Sequence, residues 1–255
     1  MEPTLKLRQY GWEGGYLPPH RAFRSLRFTP VEVCAGTTLA IAATAAWILL
    51  LPSLARFWAG LLSFWIERLR LGGPIALVDR TILGHWHVAV PYFEVTGGPT
   101  TGWISIFVTA ITALLFALSF KIPKDRFLPG AYLLRAVCLI QSTALIYAAR
   151  GGRHFPHAPA EYCTSMLLMG IIFVGLVPIM LALTYYIFDV DLSKKLAVTV
   201  ITMAHLSMFI PLQYLLHAWL LHQSLLFMPV LYFVFGPFLD IIVFIGFYSW
   251  AMSWS

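Results

Sequence analysis

Apolar stretches of about 20 residues recur along this chain, parted by short polar breaks, and nothing else in it constrains the fold as strongly. They cover residues 31–52, 102–120, 129–149, 164–188, 196–216 and 225–250. A transmembrane helix needs about 20 mostly apolar residues, so the pattern predicts an all-α polytopic membrane protein with a bundle of about six transmembrane helices. Charge content agrees. Asp, Glu, Lys and Arg make up 11% of the chain, against about 25% in a soluble domain. That leaves too little polar surface to solvate a globule, so the lipid bilayer is the first expected partner. The net charge of +6 would raise nucleic acid as a partner in a soluble protein. Here the basic residues sit in short runs beside apolar segments, so they are read as orienting the chain, and no nucleic-acid partner is expected.

Two segments depart from the span pattern. Residues 1–30 carry Lys6, Arg8, Arg21, Arg24 and Arg27 among prolines, which reads as a basic N-terminal arm on a membrane surface or under the bundle. No leading apolar region of a cleavable signal precedes it, so the first span is expected to serve as the insertion signal. The rest, 31–255, is expected to be a single transmembrane domain with an outer insertion at 53–101. Within that insertion, residues 53–71 place Leu54, Phe57, Trp58, Leu61, Leu62, Trp65 and Leu69 at helical spacing, with Arg56, Ser63, Glu67 and Arg70 on the other face. Four charges in these 19 residues favour an interfacial amphipathic helix over a short second span. Residues 75–95 alternate or are β-branched, and Gly-Gly-Pro flanks them on both sides. This predicts a small extramembrane β-hairpin.

Orientation follows from the Lys and Arg bias. With the N-terminus inside, the loops give ten such residues inside and six outside, and three of the six lie on the amphipathic segment. Both termini are therefore expected in the cytoplasm, in the plasma (inner) membrane if the source is bacterial.

This topology sends His85, His87, His154, His157, His217 and His222 to the outer side, with Glu94, Glu161 and Cys163. Imidazole, carboxylate and thiolate suit zinc, copper or iron, so His85, His87, His154 and His157 are candidate metal ligands. His85 and His87, two apart on a strand, would share a face. The bland alternative is that histidine is a common interfacial residue and these loops never converge. No pair has the H-E-x-x-H spacing that would make the signal specific. Haem is not expected. His205 is the only histidine deep in a span, and bis-histidine ligation would have to borrow a rim residue such as His217.

Cys163 heads a span in HAPAEYCTSMLLMG. A thiol at a helix N-terminus feels the positive end of the dipole, which favours thiolate, and His217 or His222 are candidate bases. The Cys-Thr-Ser opening faintly resembles the catalytic cysteine helix of the exosortase and archaeosortase family of membrane transpeptidases, over roughly ten residues. That resemblance would imply a polytopic enzyme with an outward cysteine. The family pattern also carries an arginine on a later helix, and this chain has none after Arg153. His205 or His217 would have to take its place, and the chain is not assigned to the family. The alternative for Cys163 is a small buried apolar residue.

Arg135, His205, Gln213 and Asp240 lie within apolar runs. Ionisable groups at membrane depth are costly and usually face the bundle interior. Arg135 near a helix end can snorkel, while His205 and Asp240, on neighbouring helices, form the expected pair. Pro178, Pro211, Pro229 and Pro237 are expected to interrupt the last three spans. Three function classes follow. The first is a non-catalytic membrane subunit that anchors, assembles or gates a complex with other membrane protein subunits. The second is an outward-facing enzyme or metal site using Cys163 and the outer histidines, and the third is a permease.

Overall fold

A 40-residue helix, α1 (Pro30–Leu69), opens the described structure. Pro30 takes the first helical position, where its missing N–H costs nothing. Glu32 and Arg68 sit in the first and last turns, each complementing the helix dipole. At 1.5 Å per residue the helix is about 60 Å long, twice the hydrocarbon thickness of a bilayer. The structure is a computed structural model describing residues 30–82, 84–100, 102–150, 158–185 and 191–253, without the side chains of 124–126. The basic arm, His154 and His157 lie outside these residues.

The expected stop at Pro52 and the separate interfacial helix at 53–71 are corrected by α1. Pro52 lies inside one continuous helix. A proline removes one backbone hydrogen bond, and a tightly packed helix tolerates that loss. The buried stripe runs through it unbroken, from Trp47 and Leu51 to Ala55, Trp58, Leu62 and Ile66. The amphipathic pattern was real, but the surface that covers it is protein. Trp58 and Leu62 are fully buried, and the Trp58 indole N–H donates to the Ser207 carbonyl at 3.0 Å. α1 ends in a Schellman motif. Leu71 N–H donates to Ile66 O at 3.2 Å and Arg70 N–H to Glu67 O at 3.4 Å. Arg70 adopts the left-handed conformation (φ 54), and buried Leu71 packs back toward the helix.

The predicted hairpin is present. β1 (Ala76–Ile82) and β2 (Trp86–Tyr92) pair antiparallel, from Ala76 opposite Tyr92 to Ile82 opposite Trp86. Gly84 supplies a left-handed turn residue (φ 83). Val88 and Val90 are buried, while His87 is exposed and Ala89 half-buried. This is the period-2 alternation of a sheet with one covered face. Phe93 and Val95 continue the apolar side, and Phe93 meets Tyr214 edge-on at 5.6 Å.

Six further helices follow: α2 (Trp103–Ser119), α3 (Lys124–Ala149), α4 (Pro159–Ala182), α5 (Leu192–Gln223) and, after a short 3-10 turn (Leu225–Phe227), α6 (Met228–Phe233) leading into α7 (Pro237–Met252). Among the described residues five segments are long and apolar enough to cross a membrane, α6 and α7 counting as one, and α2 is a shorter apolar helix of 17 residues. α4 and α5 run unbroken through Pro178 and Pro211. Of these last three spans only the final one is interrupted, at Val234–Gly236 just before Pro237.

The core joins α1, α4, α5 and the hairpin. Trp47 donates to the Ile171 carbonyl at 3.2 Å, tying α1 to α4. At Gly170 an added Cβ would sit 2.9 Å from the Ile210 side chain, so α4 and α5 approach closely there. α2 and α3 form an antiparallel pair at the side of this core, joined to it where the buried Gln141 amide donates to Leu226 O at 3.0 Å.

The contacts order the ends. The hairpin meets the start of α4 through Arg80–Glu161 and the end of α5 through residues 96–99. At the opposite end Gly36 of α1 lies beside Tyr185, and Tyr185 hydrogen-bonds to Lys195 O at 3.2 Å. α7 runs antiparallel to α5, with Asp240 level with Gln213 and Phe247 level with His205.

Candidate functional site

Polar side chains gather where the last span breaks. A break exposes backbone carbonyls that have no partner within the helix, and at membrane depth other groups must satisfy them. Gln213 and His217 stand one turn apart on α5 and supply them. The Gln213 amide donates to the carbonyls of Phe235 and, at 3.2 Å, Gly236. His217 lies 3.0 Å from Phe235 O through Nε2. A carbonyl only accepts, so Nε2 carries the proton and Nδ1 is the acceptor. The Tyr162 hydroxyl lies 3.4 Å from that Nδ1 and fits as its donor. The two rings are stacked at 5.9 Å. Both nitrogens of the buried His217 are thus engaged in holding the break. Gly236 suits the site sterically, since a Cβ there would meet Tyr232 O at 2.5 Å and the Met166 sulfur at 3.3 Å.

Asp240 lies in the first turn of α7, below the break, and is buried. Its Oδ1 has no hydrogen-bond partner among the described residues. It lines a cavity about the size of one water, with Gln213, Tyr214 and Gly236. The expected partner, His205, is elsewhere. It is exposed and packs between Phe209, at 6.0 Å, and Phe247, at 4.9 Å. Eight residues of α5 separate His205 from Gln213, about 12 Å along the axis.

Cys163 is fully buried in the core, a position suited to a small apolar side chain. His222 is half-buried, and its Nδ1 donates to Thr96 O at 3.2 Å. That bond belongs to a strap that the Gly-Gly-Pro punctuation did not foretell. Gly98 N–H donates to Leu221 O at 2.8 Å, and the Ser224 hydroxyl to Pro99 O at 2.7 Å. Gly98 thereby satisfies one carbonyl at the end of α5, and His222 and Ser224 in turn satisfy carbonyls of the strap. A Cβ on Gly98 would lie 2.4 Å from the backbone of His222 and Gln223.

His87 is exposed on β2, with Nδ1 3.4 Å from the Thr81 hydroxyl. His85 is exposed in the turn, where strand alternation does not apply to it. Among the described residues no three His, Cys, Asp or Glu side chains group as metal ligands, and the loop carrying His154 and His157 is not among them. Glu94 is exposed. Glu161 pairs with Arg80 at 2.6 Å in a half-exposed salt bridge. Arg135 caps α2, its guanidinium donating to the Ser119 hydroxyl and carbonyl at 3.2 Å and lying 4.2 Å over the Phe120 ring. A cation is favoured at that helix end.

Sequence reasoning missed Gln141 and Tyr162, and it marked Pro237 as interrupting the last span without foreseeing the polar groups that gather at the break. The Gly236-Pro237 pair was the available signal, because a G-P dipeptide marks a loop even inside an apolar run. No known protein family matches the chain, and no curated protein or solved structure matches it either.

Proposed function

We propose that this chain is a non-catalytic integral membrane subunit that crosses the bilayer six times and anchors or assembles a larger membrane complex. In this reading both termini are cytoplasmic and the hairpin projects on the outer side. One observation carries it: the α2–α3 pair presents a broad, unpartnered apolar face. Trp103, Phe107, Tyr132 and Leu139 are all more than half exposed, while Gln213, His217 and Arg135 are tied into structural hydrogen bonds. Lipid covers such a face in any spanning protein, but a pair held to its own core at one edge also suits a second subunit.

A photo-activatable residue placed at Leu139 or Phe107 in native membranes tests this. A discrete protein adduct of constant mass is expected. Lipid adducts alone at both positions would overturn the reading. The broken last span favours a permease as the second reading, since interrupted helices with polar groups at the break build transport sites. The enzyme and metal reading would need His154 or His157 to join His87. Near-stoichiometric zinc, copper or iron that is lost in His87→Ala would establish it.

A further inference from the structure

We propose that Asp240 is a reversible proton-binding site inside the bundle, at the break between α6 and α7. Asp240 is 4% exposed, and its Oδ1 is buried with no hydrogen-bond partner among the described residues. A bare carboxylate at membrane depth must be neutralised by a cation or a proton. Among the described residues no Lys or Arg pairs with it. Neither α4, α5 beyond Lys195, α6 nor α7 contains Lys or Arg. The titratable groups on the elements packed around Asp240 are Glu161, Tyr162 and Cys163 on α4, Lys194, Lys195, His205, Tyr214, His217 and His222 on α5, Tyr232 on α6 and Tyr248 on α7, and of these Tyr214 lines the same cavity. His217 has both nitrogens engaged. His205 is two turns away along α5.

The choice between a metal cation and a proton rests on the oxygen atoms nearby. A sodium-like ion needs several oxygen ligands, and the break would be their natural source. Two of its three carbonyls are already taken: Phe235 O accepts from Gln213 and His217, and Gly236 O from Gln213 and the Leu239 N–H. That leaves at most one carbonyl besides the carboxylate, and a cavity of one-water size, enough for a proton and its carrier but sparse for a metal ion. Two opposing effects make binding reversible. Burial favours the neutral acid, and the N-terminal end of α7 favours the carboxylate. Loss of the proton would leave a charge under the break that only entering water could solvate, so protonation state and closure of α7 against α4 and α5 are coupled.

Infrared spectroscopy of the intact protein in lipid, with carboxyl-13C aspartate, tests this directly. Exposed aspartates have pKa values near 3.9, so above about pH 5 they are ionised. The expected result is one protonated-aspartate C=O band that persists above pH 5, disappears as pH rises further, and is absent in Asp240→Asn. Should Asp240→Asn fail to fold, Asp240→Glu keeps a carboxyl and should move the band out of the labelled set. No labelled band above pH 5, or a band that survives in both variants, would overturn the proposal. So would a band insensitive to pH throughout the folded range. Suppression of the band when sodium replaces choline at fixed pH would also overturn it, in favour of a metal-cation site.

Discussion

At the residue scale, two glycines with the same sequence appearance differ in what surrounds them. Gly98 runs against the α5 backbone, where a Cβ would sit at 2.4 Å, whereas Gly60 on α1 has nothing within 4 Å of its Cβ position. Gly98→Ala is expected to cost on the order of 1–3 kcal/mol by overpacking. Gly60→Ala should instead raise stability by up to about 1 kcal/mol through helix propensity. Thermal unfolding of both variants in one detergent checks the sign of each. Hydrogen bonding to the break gives a further test. His217→Phe keeps an aromatic ring but removes one of the two donors to Phe235 O and the acceptor of the Tyr162 hydroxyl, and a buried hydroxyl left unpaired costs about 1–3 kcal/mol. The sequence showed that Asp240, Gln213 and Arg135 lie at membrane depth and need partners. It did not show which partners, because depth fixes the height of a residue along a helix and not its rotation about the axis. His205 therefore looked like a partner for Asp240 and instead stacks on Phe209 and packs tilted against Phe247, exposed on α5.

At the element scale, α1 shows how a correct pattern can lead to a wrong surface. The apolar face of residues 53–69 was legible at 3.6-residue spacing, but the same spacing serves lipid and protein equally. What decided between them was the hairpin and α5, which are distant in sequence. Trp58→Ala is expected to destabilise the protein by about 3–5 kcal/mol, because a fully buried indole leaves a cavity and an unpaired Ser207 carbonyl. Trp65→Ala, on the exposed side, should change stability in detergent by less than about 0.5 kcal/mol. An interfacial helix lying on lipid would show no such contrast. The hairpin was legible because alternation and Gly84 act locally. Its attachment was not legible. The Arg80–Glu161 bridge is half-exposed and is expected to contribute no more than about 1 kcal/mol, so the buried Val90 and Phe93 hold the hairpin down.

At the scale of the whole molecule, the alternation of α1 through α7 places the hairpin, the start of α4 and the end of α5 at one end. The starts of α1 and α5 share the other end with the close of α4. The proposed subunit role, the outer position of the hairpin and the depth of Asp240 all rest on the claim that this alternation is a six-fold crossing of the membrane. The most direct measurement is accessibility to a membrane-impermeant maleimide in intact cells, in a background lacking Cys34, Cys138 and Cys163. His85→Cys in the hairpin turn and Lys194→Cys at the start of α5 are separated by α2, α3 and α4. Three crossings put them on opposite sides, so His85→Cys is expected to react at once and Lys194→Cys only after permeabilisation. The reverse order would keep the crossings and invert the orientation. Reaction of both from the same side would contradict the six-pass arrangement, because it requires an even number of crossings between them.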